Sequence, residues 1–384
     1  MTTVDMEQVD KSAVATQVVT RVVFFIAGLG MSAWAPLVPY AKARIQLSDA
    51  SLGGLLLFLG AGSLLAMPLT GLLVGKQGCK RVILASGLVF VLMLPLLATL
   101  STPLSLALAL MLFGAAIGTF DVAMNIQAVE VEKAAQKTMM SGFHGFFSIG
   151  GIAGAGLVSL LLWLGCSPLQ AVLALLVLIV ALFIASHRHL LTERLHQADT
   201  PLFVLPHGKV LFLGLLCFIL FLTEGAVLDW SALFLTQVRH FPAAQAGLAY
   251  AVFSVAMSIG RLTGDRVVNR FSRRLVMAGG CICAASGLLI AVTVNLPWLS
   301  LLAFLLVGFG AANTVPILFS ATGQQSTMPV NLAISAMTTI GYAGILAGPA
   351  LIGFVSHWSS LAAAFTAIAL LLLAVAASAR LVIR

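Results

Sequence analysis

Hydrophobic runs of roughly 18–25 residues recur from one end of this 384-residue chain to the other. Each run is long enough to cross a hydrocarbon core about 30 Å thick as a helix, the form in which a segment satisfies its own backbone hydrogen bonds. Hydrophobic residues make up 61% of the chain and charged residues 8%, where a soluble domain carries roughly 25% charged residues. The alternating pattern of a membrane β-barrel is absent. The expected fold is therefore an all-α membrane protein.

Hydropathy and turn residues place twelve transmembrane helices near 18–40, 50–75, 81–100, 104–128, 139–164, 168–186, 208–236, 245–264, 274–294, 298–320, 331–356 and 360–380. The polar stretch 187–207 divides them into two six-helix halves, 18–186 and 208–380, with tails at 1–17 and 381–384. Seventeen of the 20 Lys and Arg fall on one side if the N-terminus is inside, leaving Lys42, Arg44 and Arg239 outside. That asymmetry predicts cytoplasmic termini. The basic excess of +8 follows membrane topology and does not point to nucleic acid. Five cysteines form no even framework and are expected as thiols. The first apolar run lacks a small-residue cleavage site, so no removable signal peptide is expected.

An internal repeat shows in the loops. Gly71-Leu-Leu-Val-Gly75-Lys76-Gln-Gly78-Cys-Lys80-Arg81 follows the second span, and Gly260-Arg261-Leu-Thr-Gly264-Asp265-Arg266 follows the eighth. Gly114 and Gly118 of span four are likewise echoed by Gly308 and Gly310 of span ten. These loops resemble the signature G-x-L-x-D-R-x-G-R-[RK] of the major facilitator superfamily, with Gly75 where the family has Asp and Cys79 where it has Arg. Asp265 is retained one residue late. The resemblance implies two pseudo-symmetric halves and a latch on helix ends, the charged copy lying in the second half. Asp121-Val-Ala-Met-Asn125 and Glu224-x4-Asp229-Trp230 resemble the fucose permease and rhizopine-transport-like branch. That branch implies a proton symporter of a sugar- or polyol-like solute in a bacterial inner membrane. An aspartate that the branch uses in span one is missing from residues 24–40.

Asp121 and Asn125 lie one helical turn apart, on one face of an apolar segment. A carboxyl at membrane depth is costly, and one that faces a cavity can take a proton from one side and release it to the other. The bland alternative is a structural bond to a neighbouring helix. Asn125 can bind substrate or hold Asp121. His144, near the start of span five, is expected at a depth similar to Asp121 and can either meet it or serve as an interfacial hydrogen-bonder. Glu224 falls beyond the midplane of span seven and is a second proton or substrate ligand. Asp229 and Trp230 nearer the outer surface suit substrate binding, an outer gate or an interface anchor.

Trp34, Pro36 and Pro39 mark a break in span one, where the indole can stack on a sugar or sit in the interface belt. Asn313, Pro316 and Tyr342 can line a cavity. Gly114/Gly118, Gly150/Gly154 and Gly344/Gly348 are spaced for close helix packing. His187, His189 and His196 have no accompanying ligand cluster, so no metal is expected, and no cofactor.

The absence of a P-loop, of H-E-x-x-H and of G-x-S-x-G argues against ATP coupling and against a membrane-embedded enzyme. The expectation is a monomeric secondary transporter of a small molecule and protons, working by alternating access. Proton-coupled efflux of a drug or metabolite, and a non-transporting sensor on the same fold, are the alternatives.

Overall fold

The structure is a computed structural model and describes residues 3–193, 204–242, 245 and 247–383. Arg194 and His196 of the central segment, and Arg384, lie outside the described residues. Among those described, all regular structure is helical: α1 (Thr3–Ser32), α2 (Val38–Ile45), α3 (Asp49–Gln77), α4 (Cys79–Thr99), α5 (Pro103–Ala135), α6 (Met140–Trp163) and α7 (Pro168–Ser186), then α8 (Gly208–Leu233), α9 (Leu248–Phe271), α10 (Arg273–Thr293), α11 (Pro297–Ala311), α12 (Thr314–Gln324), α13 (Val330–Trp358) and α14 (Leu361–Val382). Among the described residues, eleven segments are long and apolar enough to cross a membrane. The twelfth expected span, α9, falls short on hydropathy because it carries Arg261, Asp265, Arg266 and Arg270, yet it is helical over 24 residues.

Two spans are interrupted, each by proline. The rings of Pro36 and Pro39 crowd the carbonyls of Ser32 and Ala35 and remove two donors. The chain accordingly leaves the α-helix after Ser32, makes a short 3-10 turn at Ala35–Leu37 and resumes as α2. Pro316 acts the same way on the Ala312 carbonyl, so span ten is two helices, α11 and α12, meeting at Ala312–Asn313.

The residues cluster into two compact units. The first comprises Met1–Lys137, Phe146–Val204 and Pro329–Ser335; the second comprises Thr138–Gly145, Leu205–Met328 and Ala336–Arg384. Helix α6 thus begins in the second unit and continues in the first, and α13 does the reverse.

Each unit is packed by the same devices. In the first, a Cβ on Gly114 of α5 would fall on the Leu59 carbonyl of α3, and one on Gly150 or Gly154 of α6 would strike the Phe25 or Leu29 carbonyl of α1. In the second, Gly308 of α11 meets the Phe253 carbonyl of α9, and Gly344 of α13 meets the Phe218 carbonyl of α8. Lipid gives helices no hydrophobic reason to associate, so this backbone contact supplies dispersion energy that larger residues would block. Arginines close two of the helix ends. Arg44 donates to the carbonyls of Leu97, Ala98 and Leu100 at the end of α4, at 2.7–2.9 Å. Arg239 donates to Ala291 and Val292 at the end of α10, at 2.7–3.1 Å. Each reaches a carbonyl 53 residues downstream, so the two halves place a guanidinium on the negative end of the corresponding helix.

A single residue links α3 to α4 and another links α9 to α10. Gly78 has φ +82° and Ser272 has φ +75°. The first suits glycine; the second is strained for a residue with a Cβ.

Candidate functional site

In the first unit Asp121 and Asn125 share a face of α5, as the spacing predicts. Helix α5 runs seven residues past the expected end of its span, to Ala135. Asp121 therefore lies roughly 27 Å from the start of the helix and 21 Å from its end, at 1.5 Å per residue. Its side chain is partly exposed, while Asn125 is fully buried. Asn125 Nδ2 donates to the Asp121 carbonyl at 2.9 Å and lies 3.5 Å from the carboxylate Oδ1. Its Oδ1 has no hydrogen-bond partner. The amide is thus braced on the backbone of the preceding turn and leaves one buried acceptor open for a donor.

Trp34 sits at the break between α1 and α2, 6% exposed, with its indole N–H unpartnered. Sequence reasoning passed over Gln127, two residues beyond Asn125. It is fully buried, donates to Thr20 Oγ1 of α1 at 3.0 Å and accepts from the Leu191 amide at 3.3 Å. The Lys80 amide donates to Leu191 O at 2.8 Å, so the first residues of the central segment are docked rather than solvated. A second amide side chain on the buried part of α5 was the available signal.

In the second unit Glu224 of α8 is not a lone acid. Its Oε1 accepts from Arg261 Nη2 of α9 at 3.0 Å, with the two side chains 20% and 8% exposed. Glu224 lies roughly 24 Å into α8, as expected, and Arg261 roughly 15 Å from the end of α9. Arg261, which its place in the sequence assigns to the latch, is one half of an ion pair at membrane depth. His144, in the part of α6 that belongs to this unit, stacks against Phe319 of α12 at 5.5 Å between ring centres, and it interacts electrostatically with Arg261. Asn313 caps the interruption of span ten; it is 8% exposed, its Oδ1 has no hydrogen-bond partner, and the atom packs against Gly264.

Asp229 is exposed, while Trp230 packs near Gly353 with its indole N–H unpartnered. Tyr342 is nearly buried, edge-on to Phe221. Arg261, Glu224 and His144 gather; Asp229 and Trp230 stand a turn and more further along α8.

The residues expected to form a latch separate into two kinds. Asp265 accepts from the Ser141 and Gly142 amides at 3.1 and 3.0 Å, placing a carboxylate on the N-terminus of α6. The first copy, where Gly75 stands in place of the Asp of the resembled signature, is contacted through its backbone. Asn331 Nδ2 donates to Gly71 O at 2.7 Å and Ser335 Oγ to Met67 O at 2.5 Å, and a Cβ on Gly71 would crowd the Asn331 carbonyl. Gly75 and Gly260 are buried, while Lys76, Arg81 and Arg266 are exposed and Lys80 is half-exposed. Among the described residues no group of three or more His, Cys, Asp or Glu gathers as a metal site, and His187 Nδ1 lies 2.8 Å from the Ile184 carbonyl.

A family model described as Major Facilitator Superfamily matches residues 22–328 and 240–384. An uncharacterised MFS-type transporter of Yersinia pestis is 58% identical over 384 residues, covering 100% of both chains. The membrane protein MosC of Rhizobium meliloti is 32% identical over 336 residues, 87% of this chain and 82% of that one. Among solved structures, the transporter FucP in its outward conformation superposes with a TM-score of 0.81 at 17% identity, over 97% of this chain and 100% of FucP. At that identity the likeness speaks to fold alone.

Proposed function

Because the chain belongs to the Major Facilitator Superfamily, we propose that it is a proton-coupled symporter, importing a small polar solute across the bacterial inner membrane by alternating access. That it is a multi-pass membrane transporter and not an enzyme follows from the family itself. The coupling rests on one observation: a carboxylate stands at membrane depth in each unit, Asp121 in the first and Glu224 in the second, and both are partly exposed. Such groups are expensive in a bilayer and are kept where an ion or proton must pass.

In this reading Asp121, Glu224 and His144 handle the proton. Asn125, Trp34, Asn313, Tyr342, Asp229 and Trp230 face the solute, and Asp265 with Gly71 works the cytoplasmic latch. The halves 18–186 and 208–380 rock as bodies, both termini stay in the cytoplasm, and the transporter is a monomer. A sugar- or polyol-like solute follows from the motif resemblance of Asp121–Asn125 and Glu224–Trp230; FucP, which shares the fold, is described as a fucose:proton symporter. The test adds sugars, polyols, small aromatics and cationic drugs to purified protein in weak buffer, beside Asp121→Asn. A solute-dependent pH change that disappears in the variant supports symport. Binding with no pH change in either protein removes the proton, and proton release with a cationic drug turns the reading to efflux.

A further inference from the structure

The turns that join α3 to α4 and α9 to α10 share a backbone conformation but not an environment. Ser272 is exposed, whereas Gly78 is buried. What covers Gly78 is the start of the central segment: a Cβ there would lie 2.7 Å from the Thr192 carbonyl oxygen and 3.1 Å from that of Glu193. Position 78 thus calls for glycine twice, once for its φ of +82° and once for the chain that lies over it.

Residues 190–193 reach this turn directly from α7, through the short 3-10 turn at His187–His189. Leu190 is 3% exposed and anchors them. Leu191 then uses both of its backbone groups. Its carbonyl accepts from the Lys80 amide at 2.8 Å, in the first turn of α4, where an N–H has no intrahelical acceptor. Its N–H donates to Gln127 Oε1 of α5 at 3.3 Å, and Gln127 Nε2 donates in turn to Thr20 Oγ1 of α1 at 3.0 Å. Gln127 and Thr20 are fully buried, so breaking this chain of bonds strands a polar group away from water. The same turn ends α3, whose Gly71 and Met67 carbonyls accept from Asn331 and Ser335 at the start of α13.

We propose that residues 190–193 are a strap: they brace the α3–α4 turn on α5 and α1, and so hold the end of α3 in place for Asn331 and Ser335. The second signature copy holds its contact with the Asp265 carboxylate. The first has Gly75 and Cys79 at the two charged positions of the resembled signature, and the strap supplies the restraint through uncharged bonds. The strap is also continuous with residues 194–207, which lead to α8. A pull along that stretch falls first on Leu191, so displacement of the joining chain loosens the contact between α3 and α13. None of this depends on the proton-symport reading, and the test needs no solute.

The experiment is hydrogen exchange followed by mass spectrometry on the purified full chain in detergent, with wild type beside Gln127→Leu, Leu190→Ser and a Gly-Ser-Gly-Ser insertion after Glu193. Gln127→Leu removes the acceptor of the Leu191 amide and the donor to Thr20. Leu190→Ser removes the anchor but leaves the bond between Gln127 and Thr20, so it asks the same question should the first variant fold poorly. In both substitutions, peptides covering 78–84 and 329–335 should exchange about tenfold faster or more, while a peptide covering 266–276 keeps its wild-type rate. The insertion lies beyond the strap and should change none of them. The inference is overturned if 78–84 keeps its rate in both substitutions, or if the insertion accelerates it as much as they do. Acceleration of 78–84 with 329–335 unchanged would overturn the bracing of the α13 contact. Equal acceleration at 266–276 would mean that the whole fold loosens, and would overturn the strap as well.

Discussion

Replacing Asp265 with asparagine removes a charge from the N-terminus of α6 while keeping the side chain's shape. Helix α6 starts at Met140, so Ser141 and Gly142 lie in its first turn, where N–H groups have no intrahelical acceptor. The acceptors they find are Asp265 Oδ1 and Oδ2, at 3.1 and 3.0 Å. A hydrogen bond to a charged group is worth about 1.5–3 kcal/mol net, and a neutral one about 1 kcal/mol. Asparagine keeps one carbonyl oxygen and turns an NH2 toward the other amide. The expected loss is about 2–4 kcal/mol of local stability, or roughly 30- to 1,000-fold in the opening equilibrium.

Fold integrity should survive. Thr138 Oγ1 still donates to Asn269 Oδ1 at 2.6 Å, and Gly145 still packs on Leu262. Hydrogen exchange followed by mass spectrometry on a peptide covering 138–145 reads the change directly, since amide protection tracks local opening. Exchange in this peptide should accelerate by that factor, while peptides from α3 and α5 keep their rates. If Ser141 and Gly142 exchange at the wild-type rate in Asp265→Asn, the carboxylate is not what holds the helix start, and the latch reasoning fails with it.

Arg44→Ala and Arg239→Ala should each lower thermal stability in detergent by about 2–4 kcal/mol, and by similar amounts, because each strips several charged bonds from a helix C-terminus. Lysine at either position should restore less than half, since an ammonium cannot hold two or three carbonyls in a fixed fork. Gly114→Leu and Gly308→Leu should both fail to yield folded protein, as each would drive a side chain into a neighbouring backbone carbonyl. Gly156→Ala, with open space around it, should be neutral or up to about 1 kcal/mol stabilising. Gly78→Ala should cost about 1–3 kcal/mol, from its φ of +82° and a Cβ 2.7 Å from the Thr192 carbonyl. Ser272→Gly should gain about 1 kcal/mol in thermal unfolding, by releasing φ +75° at the loss of a long 3.4 Å cap bond.

Helix spans and the proline break in span one were legible because hydropathy and ring sterics are local; the break at Pro316 was not, since Pro68, Pro95 and Pro349 sit inside unbroken helices. The ends were less so. Hydropathy stops α5 near residue 128 and α9 near residue 264, since Glu130, Glu132 and Lys133, and Asp265, Arg266 and Arg270, end the apolar run. The helices continue because charged residues are no obstacle once the helix leaves the hydrocarbon. The depth of Glu224 could be counted along one helix; its pairing with Arg261 could not, since that depends on which face of α9 turns toward α8. Asp265 reads as a latch residue from its motif, but the amides it holds lie 124 and 123 residues away in sequence. Nothing in the Gly71 loop announces Asn331 and Ser335, whose partners are carbonyls that every residue possesses.

The crossing of α6 and α13 between units also bears on the order in which the chain can be made. Asn331 and Ser335 emerge after the α3 carbonyls they bind, 260 and 268 residues behind them, and find those acceptors already in place. The Ser141 amide emerges 124 residues before Asp265, and at about 5–20 residues per second it waits roughly 6–25 s for its acceptor. Until the second half arrives, the nascent chain holds one helix start with its donors open, and water or a chaperone must hold that end for it.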